Sequence, residues 1–431
     1  MARSPPIVPE SKRRNFVGRG TKEVVRMEKE NLERVGYRLN LANKNQELKS
    51  FGRRNGKETH SGGHPDSMSR PNTTGNNSTP NHDTGLKQLK GDDLKSSFQE
   101  LDVESKWMHE LSRMVRREWK KSNWWERHGV DWSIIGFAIC LLPAGFLCVG
   151  SHTPLLWVLG ILILGLSHSV LSVKGGHMAS HRALCTSPSF GRFWAIFFVE
   201  VCGSVPVTCG EESHVNLHHG HTNIIGLGDS SIWKAPMLSC GIYMFVAPLA
   251  LPVLAIIVGL QSMTKMPYLR ALQSLFCIFM GLFCQLQILI WYSGLDLWSA
   301  LGCMYLSRTL LSIPFIHVNI FQHIGLPMFS PSQRPHRLQL MANSVLNLPR
   351  NYLLDWTFGH SIVSCHVEHH LFPNLSDHMC LKIKPIVSRF VRIHNLPYQE
   401  DTYISRLQIF LTRYKELMVL APPIRQLVEL R

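Results

Sequence analysis

The first hundred residues of this sequence contain few apolar side chains and almost no aromatic ones. Such a segment cannot bury enough apolar surface to offset the entropy lost on ordering, so residues 1–100 are predicted to be a disordered polar tail. Residues 1–19 are polar and basic and lack the apolar core of a cleavable signal peptide. Membrane insertion, if it occurs, is therefore predicted to use a later, internal segment.

The cysteines and the charged residues narrow the class of protein further. The 11 cysteines stand singly, without a C-x-x-C pair, which argues against a disulfide framework and against a zinc ribbon. The formal net charge is +15, yet no nucleic-acid-binding motif accompanies the basic residues, which lie mostly beside apolar segments. No nucleic-acid partner is expected, and a membrane surface accounts better for the charge.

Apolar residues are concentrated after residue 130, and residues 131–431 are predicted to be a membrane domain. The runs 131–150 and 154–173 are each long enough to cross the hydrocarbon as a helix, and the short link between them predicts a hairpin. Residues 101–130 are predicted to be a basic amphipathic approach to the membrane. Its tryptophans suit the headgroup layer, and its basic side chains predict that this side faces the cytosol.

The later apolar runs carry a topological constraint. Residues 190–207 are interrupted by Glu200 and are predicted to lie in the interface without crossing. The runs 241–260, 272–291 and 297–316 could each span the membrane. Histidine groups before and after these three runs can share one site only if an even number cross. One run is therefore predicted to be re-entrant or interfacial, and the sequence does not identify which.

Histidines recur at spacings that suit metal binding. In the group His366-Val367-Glu368-His369-His370, the first and last histidines lie one helical turn apart with His369 beside them, so their rings can converge on a cation. The other groups are His177 with His181, His214 with His218 and His219, and Asn319 with His323. These histidines exceed what one tetrahedral zinc needs and suffice for two metals. Iron, zinc and copper all suit imidazole ligands.

Acidic residues near these groups are predicted to accept the second ring N–H of a metal-binding histidine and so fix its tautomer. They are Glu211, Glu212, Asp229, Asp355 and Glu368. A solvated surface position is the alternative for each acid. Isolated histidines elsewhere are predicted to be structural, because most single histidines do not bind metals.

The three motifs H-x3-H, H-x3-H-H and H-x2-H-H, the last followed by Leu371-Phe372-Pro373, resemble the histidine boxes of the membrane fatty acid desaturase family. The resemblance runs from about residue 124 to residue 422, and residues 124–131 and 368–373 resemble one subgroup in particular. It implies an all-α polytopic membrane protein with four transmembrane helices in two hairpins. A cytosolic histidine-rich helical cap would cover them, with an acyl tunnel beneath the metals.

The resemblance also implies an activity. Two non-haem iron ions would use O2 to introduce a double bond into a long acyl chain, in the endoplasmic reticulum membrane with both termini in the cytosol. The implied ligands are His177, His181, His214, His218, His219, His323, His366, His369 and His370, with Asn319 reaching one iron through water. The common form of the first box has an acid after its first histidine, whereas Met178 stands there in this sequence.

Electrons must come from outside the chain, because the sequence has no flavin or nicotinamide fingerprint. Gly62-Gly63-His64-Pro65 is not the haem-binding loop of the cytochrome b5 domain that some relatives carry, so a separate cytochrome b5 and its reductase are the implied partners.

Two alternative functions stay open. One is a lipid hydroxylase or sphingolipid desaturase with the same centre, and the other is a non-catalytic zinc-binding membrane receptor or scaffold.

Overall fold

The computed structural model describes residues 91–419 except 228–234 and 236, so most of the predicted disordered tail lies outside the described residues. The described chain is mostly helical. Its longer helices are α1 (Gly91–Lys121), α2 (Trp125–Val149), α3 (Pro154–Ser180), α4 (Pro188–Cys202), α5 (Val207–His218), α6 (Ile242–Met263), α7 (Tyr268–Tyr292), α8 (Leu297–Phe321), α9 (Arg337–Ser344), α10 (Tyr352–Thr357), α11 (His366–Leu371), α12 (Asp377–Ile393) and α13 (Tyr403–Tyr414). Shorter elements are Pro331–Gln333, Lys415–Val419, β1 (Leu346–Asn347) and β2 (Gln399–Glu400).

Helices α2, α3, α6, α7 and α8 are each long and apolar enough to cross a membrane. They leave large apolar side chains exposed, among them Phe137, Leu155 and Phe279. Contiguous apolar surface of this kind is rare on soluble monomers and is expected of a lipid-facing surface. Helices α4 and α5 meet the same criterion only as a pair, and the two are bent by 101°. The chain is therefore a multi-pass membrane protein.

Two helical hairpins form the centre of the apolar region. Helix α3 begins at Pro154, whose fixed φ suits the first turn of a helix. Helix α8 begins after Asp296, whose carboxylate accepts hydrogen bonds from the backbone N–H groups of Trp298 and Ser299. Residues 293–296 thus form the turn between α7 and α8. Side chains of α2, α3, α7 and α8 pack into one apolar cluster, which includes Phe146, Ile161, Leu289 and Cys303.

Helix α1 packs mainly on the polar helices, and its last turns also contact the start of α2, where the Arg127 guanidinium lies 3.9 Å from the Trp119 ring centroid. Its side chains Leu111 and Val115 are buried in a cluster with residues of α9, α11 and α12. The helix begins at Gly91, before the boundary predicted at residue 101. Trp124 and Trp125, which follow it, are 63% and 55% exposed, as side chains suited to the headgroup layer would be.

A short parallel strand pair holds α11 in place. In this pair Leu346 lies opposite Gln399, and Asn347 lies opposite Glu400. The amide of Asn347 accepts a hydrogen bond from the Val367 N–H at 2.9 Å and donates one to the Glu368 carboxylate at 3.0 Å. Both contacts are buried. Asn347 of β1 therefore fixes the orientation of α11, the helix that carries the last histidine box.

Candidate metal centre

The eight histidines of the three boxes and His323 gather into two clusters, although they come from segments far apart in the sequence. Within each cluster the candidate ligand atoms all lie within 4.8 Å of one another. The first cluster, called the five-histidine cluster below, contains His177, His181, His214, His219 and His369. The second, called the four-histidine cluster, contains His218, His323, His366 and His370. Two clusters agree with the number of metals predicted from the count of histidines.

Helix α11 supplies both clusters. His366 and His370 are four residues apart, so they share a face and both enter the four-histidine cluster. His369 lies about 100° further round the helix and enters the five-histidine cluster. The sequence predicted convergence of all three rings on one cation. That prediction is wrong, because neighbouring residues of one helical turn face different clusters.

The second box divides between the clusters in the same way, through a different local structure. Residues Glu211–His218 form a π-helical turn, and the His219 N–H donates to the His214 carbonyl at 3.0 Å, five residues back. The wider turn aligns positions i and i+5, so His214 and His219 point the same way and His218 points elsewhere. Sequence spacing read as an α-helix does not give this division.

The ring nitrogens have the geometry of metal ligands. His323 Nε2 and His366 Nε2 are 2.8 Å apart, and His219 Nε2 and His369 Nε2 are 3.1 Å apart. Two nitrogens that each bind one ion at about 2.0–2.1 Å approach one another this closely. Several other buried ring nitrogens have no hydrogen-bond partner among the described residues; they include His177 Nε2, His181 Nε2, His214 Nε2 and His370 Nε2. Buried polar atoms without partners are costly, so the site fits bound cations.

Burial keeps these imidazoles neutral and able to donate a lone pair. It lowers the pKa of His323 to about 4, and it lowers the pKa values of His366, His369 and His370 well below that of an exposed histidine. Neighbouring histidines add to the effect, because a second positive charge in the same cluster would be repelled. Metal binding at neutral pH therefore needs no prior deprotonation.

The nitrogens that face away from the clusters are held by backbone and hydroxyl groups. His366 Nδ1–H donates to the Ser361 carbonyl at 2.8 Å and His323 Nδ1–H to the Ser344 carbonyl at 3.2 Å. His370 Nδ1 lies 3.2 Å from Thr222 Oγ1. These contacts fix the tautomers that leave Nε2 free to bind a metal.

A buried ion triad stands behind the first box. Lys174 Nζ lies 3.0 Å from an Asp131 carboxylate oxygen and 2.5 Å from one of Asp377. Asp377 also accepts hydrogen bonds from the Ser361 N–H and hydroxyl. The Ser361 hydroxyl in turn lies 3.2 Å from His177 Nδ1. Asp377 therefore supports His177 through Ser361, so a carboxylate still stands behind the first box although Met178 replaces the usual acid.

Sequence reasoning missed this triad. The sequence places Asp131 and Lys174 at the ends of the predicted spans, whereas in the structure both are buried and form an ion pair with one another. Ionisable residues in or beside apolar runs are rare, so the positions of Asp131 and Lys174 are the sequence signal that could have identified the triad.

The acids that the sequence did single out have other contacts. Glu211 pairs with Arg192, and Asp355 accepts from Ser364 and pairs with His360. Glu368 accepts hydrogen bonds from Asn347 and Tyr398, and burial raises its pKa. No hydrogen bond joins these three acids to a cluster histidine within the described part of the chain, so the predicted support is wrong for them. Glu212 is exposed, and Asp229 lies outside the described residues.

Asn319 lies on α8 one helical turn before His323. Its amide N–H donates to the Phe315 carbonyl at 2.7 Å. Among the described residues its amide oxygen has no hydrogen-bond partner, and a carboxamide oxygen can accept from a water. Asn319 therefore lies close in the chain to His323 of the four-histidine cluster, as the sequence predicted. Its role in reaching a metal through water stays a prediction.

A cavity of ≈ 300 Å³ lies beside the clusters, among residues of α3, α4, α6 and α8. Val173 and Phe315 line it, and each precedes a predicted ligand, His177 or Asn319, by one helical turn. The Phe315 ring packs on that of Phe358, with centroids 5.6 Å apart. Most of the lining is apolar, which suits a chain of methylene groups.

Acidification is expected to destabilise the metal-free protein. The pKa of His323 is about 4 in the folded chain, below the usual 6.5 of histidine, so the unfolded chain binds protons first as the pH falls. The stabilisation is complete above about pH 6.5 and is lost as the pH falls toward about 4. Thermal unfolding of chelated protein in detergent, followed from about pH 7 to about pH 4.5, measures this. A melting temperature that stays constant would contradict it, and exposed His152, changed to alanine, is the matched control.

The chain is similar to known proteins over most of its length. A sequence model of the family described as "Fatty acid desaturase" matches residues 152–402. Fatty acid desaturase 6 of Bos taurus is 50% identical over 323 residues, which cover 75% of this chain and 94% of the relative. The Mus musculus protein of the same name is 51% identical over 322 residues, covering 74% and 94%. The Homo sapiens one is 50% identical over 324 residues, covering 75% and 91%.

Proposed function

Since this chain belongs to the fatty acid desaturase family, we propose that it is an O2-dependent oxidoreductase that introduces a double bond into a long acyl chain at a non-haem di-iron centre. The observation that carries the proposal is the complete set of eight box histidines and His323 in two clusters. A relative that had lost catalysis would be expected to lack at least one ligand.

Each cluster would hold one iron. His177, His181, His214, His219 and His369 would bind the first, and His218, His323, His366 and His370 the second, with Asn319 supporting the second through a water. Bound iron would supply the oxidising power needed to remove two hydrogens from adjacent, unactivated methylenes. The residues of this chain supply orientation. Ser361, Ser344 and Thr222 hold the rings, and burial of the site excludes water.

The cavity would hold the acyl chain. Val173 and Phe315 line it one helical turn before His177 and Asn319, so they would present one stretch of the chain to the reacting centre. An acyl chain is flexible, and rate and regiochemistry depend on holding one bond in place. The close packing of Phe315 on Phe358 provides a rigid wall for that purpose.

The contacts between the hairpins support four membrane crossings. A Cβ added at Gly150 would lie 2.2 Å from the Ser293 carbonyl oxygen, so the α2–α3 turn touches the α7–α8 turn. Both turns therefore lie at the same end of the bundle, opposite the histidines. This is the arrangement of two parallel hairpins that start and end on one side, and both termini would then face the cytosol.

The remaining apolar helix, α6, would lie across the histidine end. Near its start, Met244 packs with Phe321, two residues before His323. Near its end, a Cβ added at Gly259 would lie 3.1 Å from Pro206, which adjoins α5. A helix with both ends beside histidine-bearing segments does not need to cross.

The location would be the endoplasmic reticulum membrane, with cytochrome b5 and its reductase as separate electron donors at the cytosolic face.

Iron analysis and product analysis test the function together. Purified protein is expected to contain about two irons per chain, and cells that express it are expected to gain an unsaturated fatty acid. Chelation should abolish product formation in vitro, and ferrous iron, but not zinc, should restore it. The His152→Ala variant should behave as wild type. A hydroxylated product would favour the lipid hydroxylase, whereas one zinc per chain and an unchanged lipid profile would favour the scaffold.

A further inference from the structure

A single arginine, Arg308, lies in the wall of the cavity beside the clusters. It belongs to α8, one of the helices apolar enough to cross a membrane. Cationic side chains inside such helices are rare and costly, and they face protein or a polar cavity when they occur. The position of Arg308 therefore calls for a physical reason.

The guanidinium has two neutral partners. Its Nε–H donates to Gln285 Oε1 at 3.0 Å, and its Nη1–H donates to Ser204 Oγ at 3.1 Å. Within the described part of the chain, no carboxylate forms an ion pair with it. A guanidinium carries five N–H donors, so three are left without a described acceptor. A half-buried charge inside an apolar helix, with neutral partners only, is unfavourable unless a counter-charge arrives.

The backbone that holds one of these partners is strained. Ser204 is buried and has a φ of 62°, a left-handed conformation that is uncommon for residues other than glycine. It lies between Gly203 and Val205, which both line the cavity. Strain of this kind persists where the surrounding structure requires it, often at ligand sites. Here it places a hydroxyl where it orients the guanidinium.

Resting on the function proposed above, we propose that Arg308 binds an anionic oxygen group of the substrate, a carboxylate or a phosphate, inside the cavity. A guanidinium matches the paired oxygens of either group and forms strong charge-assisted hydrogen bonds with them. The other polar side chains of the wall are His168, Ser169 and Ser172 on the facing helix α3 and Ser312 on α8. The rest of the wall is mostly apolar and suits the hydrocarbon part of the same molecule.

This site would fix the distance between the charged group and the reacting carbons. His168 lines the same cavity and precedes His177 by nine residues, or roughly 13 Å along the helix. A chain held at its charged end would present carbons at that distance to the metals. The position of the double bond would then be counted from the anionic end of the substrate.

Binding of three matched amphiphiles tests the proposal. Decanoate, decyl phosphate and decanol share one alkyl chain and differ in the head group. Purified, metal-free protein in detergent is expected to bind at least one anion about 10-fold or more tighter than decanol, because hydrogen bonds to charged groups outweigh neutral ones. Preference for decanoate would identify a carboxylate, and preference for decyl phosphate a phosphate. Equal binding of all three by wild type would overturn the proposal without any variant.

Substitutions assign the effect to this residue. Arg308→Gln should bind the preferred anion about 10-fold more weakly and decanol unchanged, and Arg308→Lys should be intermediate. Arg392→Gln removes an arginine that is 63% exposed and should change nothing. An anion preference that survives in Arg308→Gln would overturn the proposal. The binding assay needs neither iron nor turnover: Arg308-dependent binding in a wild type that makes no unsaturated product would refute the desaturase function alone.

Discussion

Replacing His369 by alanine is expected to remove the metal of the five-histidine cluster, and replacing the adjacent His370 is expected to remove that of the four-histidine cluster. Each variant loses one ligand from one cluster only, because the two rings project about 100° apart on α11. Metal content should fall from about two to about one per chain in both. Product formation should fall by at least about 100-fold in both, since residues that merely support ligands already contribute about 10–100-fold.

The position of the remaining metal separates the two variants. In His369→Ala the four-histidine cluster keeps all its ligands, and in His370→Ala the five-histidine cluster keeps all of its own. Metal-edge X-ray absorption should therefore report about four imidazoles around the remaining ion in the first variant and about five in the second. His152→Ala serves as the control. Full retention of two metals by either variant would contradict the division of the clusters.

Replacing Asp377 by alanine is expected to weaken both the fold and the metal site. The change leaves Lys174 buried with Asp131 as its one remaining carboxylate, and breaking a buried ion pair costs about 3 kcal/mol or more. It also frees Ser361, which contacts His177 and His366, one ligand from each cluster. Iron affinity should therefore fall by about 10–100-fold.

A second substitution separates the two effects of Asp377. Ser361→Ala removes the hydroxyl that reaches His177 but keeps the ion triad and the carbonyl that accepts from His366. It should weaken metal binding with little change in the melting temperature of the metal-free protein. Glu212→Gln changes an exposed acid next to the second box and is the matched control. Equal loss of melting temperature in Ser361→Ala and Asp377→Ala would contradict the role given to the triad.

The membership of a histidine-box family could be read from the sequence, and it is confirmed. The spacings of His177 with His181 and of His366 with His370 are those of an α-helix, so these pairs are brought together as expected. The division of the second box was not predictable, because it depends on a π-helical turn at Glu211–His218 that leaves no mark in apolar periodicity. The class of the fold, helical and multi-pass, followed from the lengths of the apolar runs.

Most of the features that the sequence did not predict depend on contacts between residues far apart in the chain. Glu211 and Asp355, which the sequence singled out, bind other side chains, whereas Asp377, although close in sequence to the third box, supports His177 of the first box through Ser361. Proximity in sequence is a poor guide here because buried carboxylates are selected by charge partners such as Lys174. The parity argument limited the number of crossings but could not choose among three runs. The contacts of Met244 and Gly259 support the proposal that α6 is the run that does not cross.

Within the described residues neither cluster contains a carboxylate, and this determines the charge of the centre. Nine neutral imidazoles contribute no negative charge. Nearby, Lys174 contributes +1 and Asp131 and Asp377 contribute −1 each, so the triad adds −1 in total. Two divalent ions would therefore remain largely uncompensated, and in a medium of low dielectric constant an uncompensated positive charge disfavours further loss of electrons. Such a centre would rest in its reduced state and have a comparatively high reduction potential.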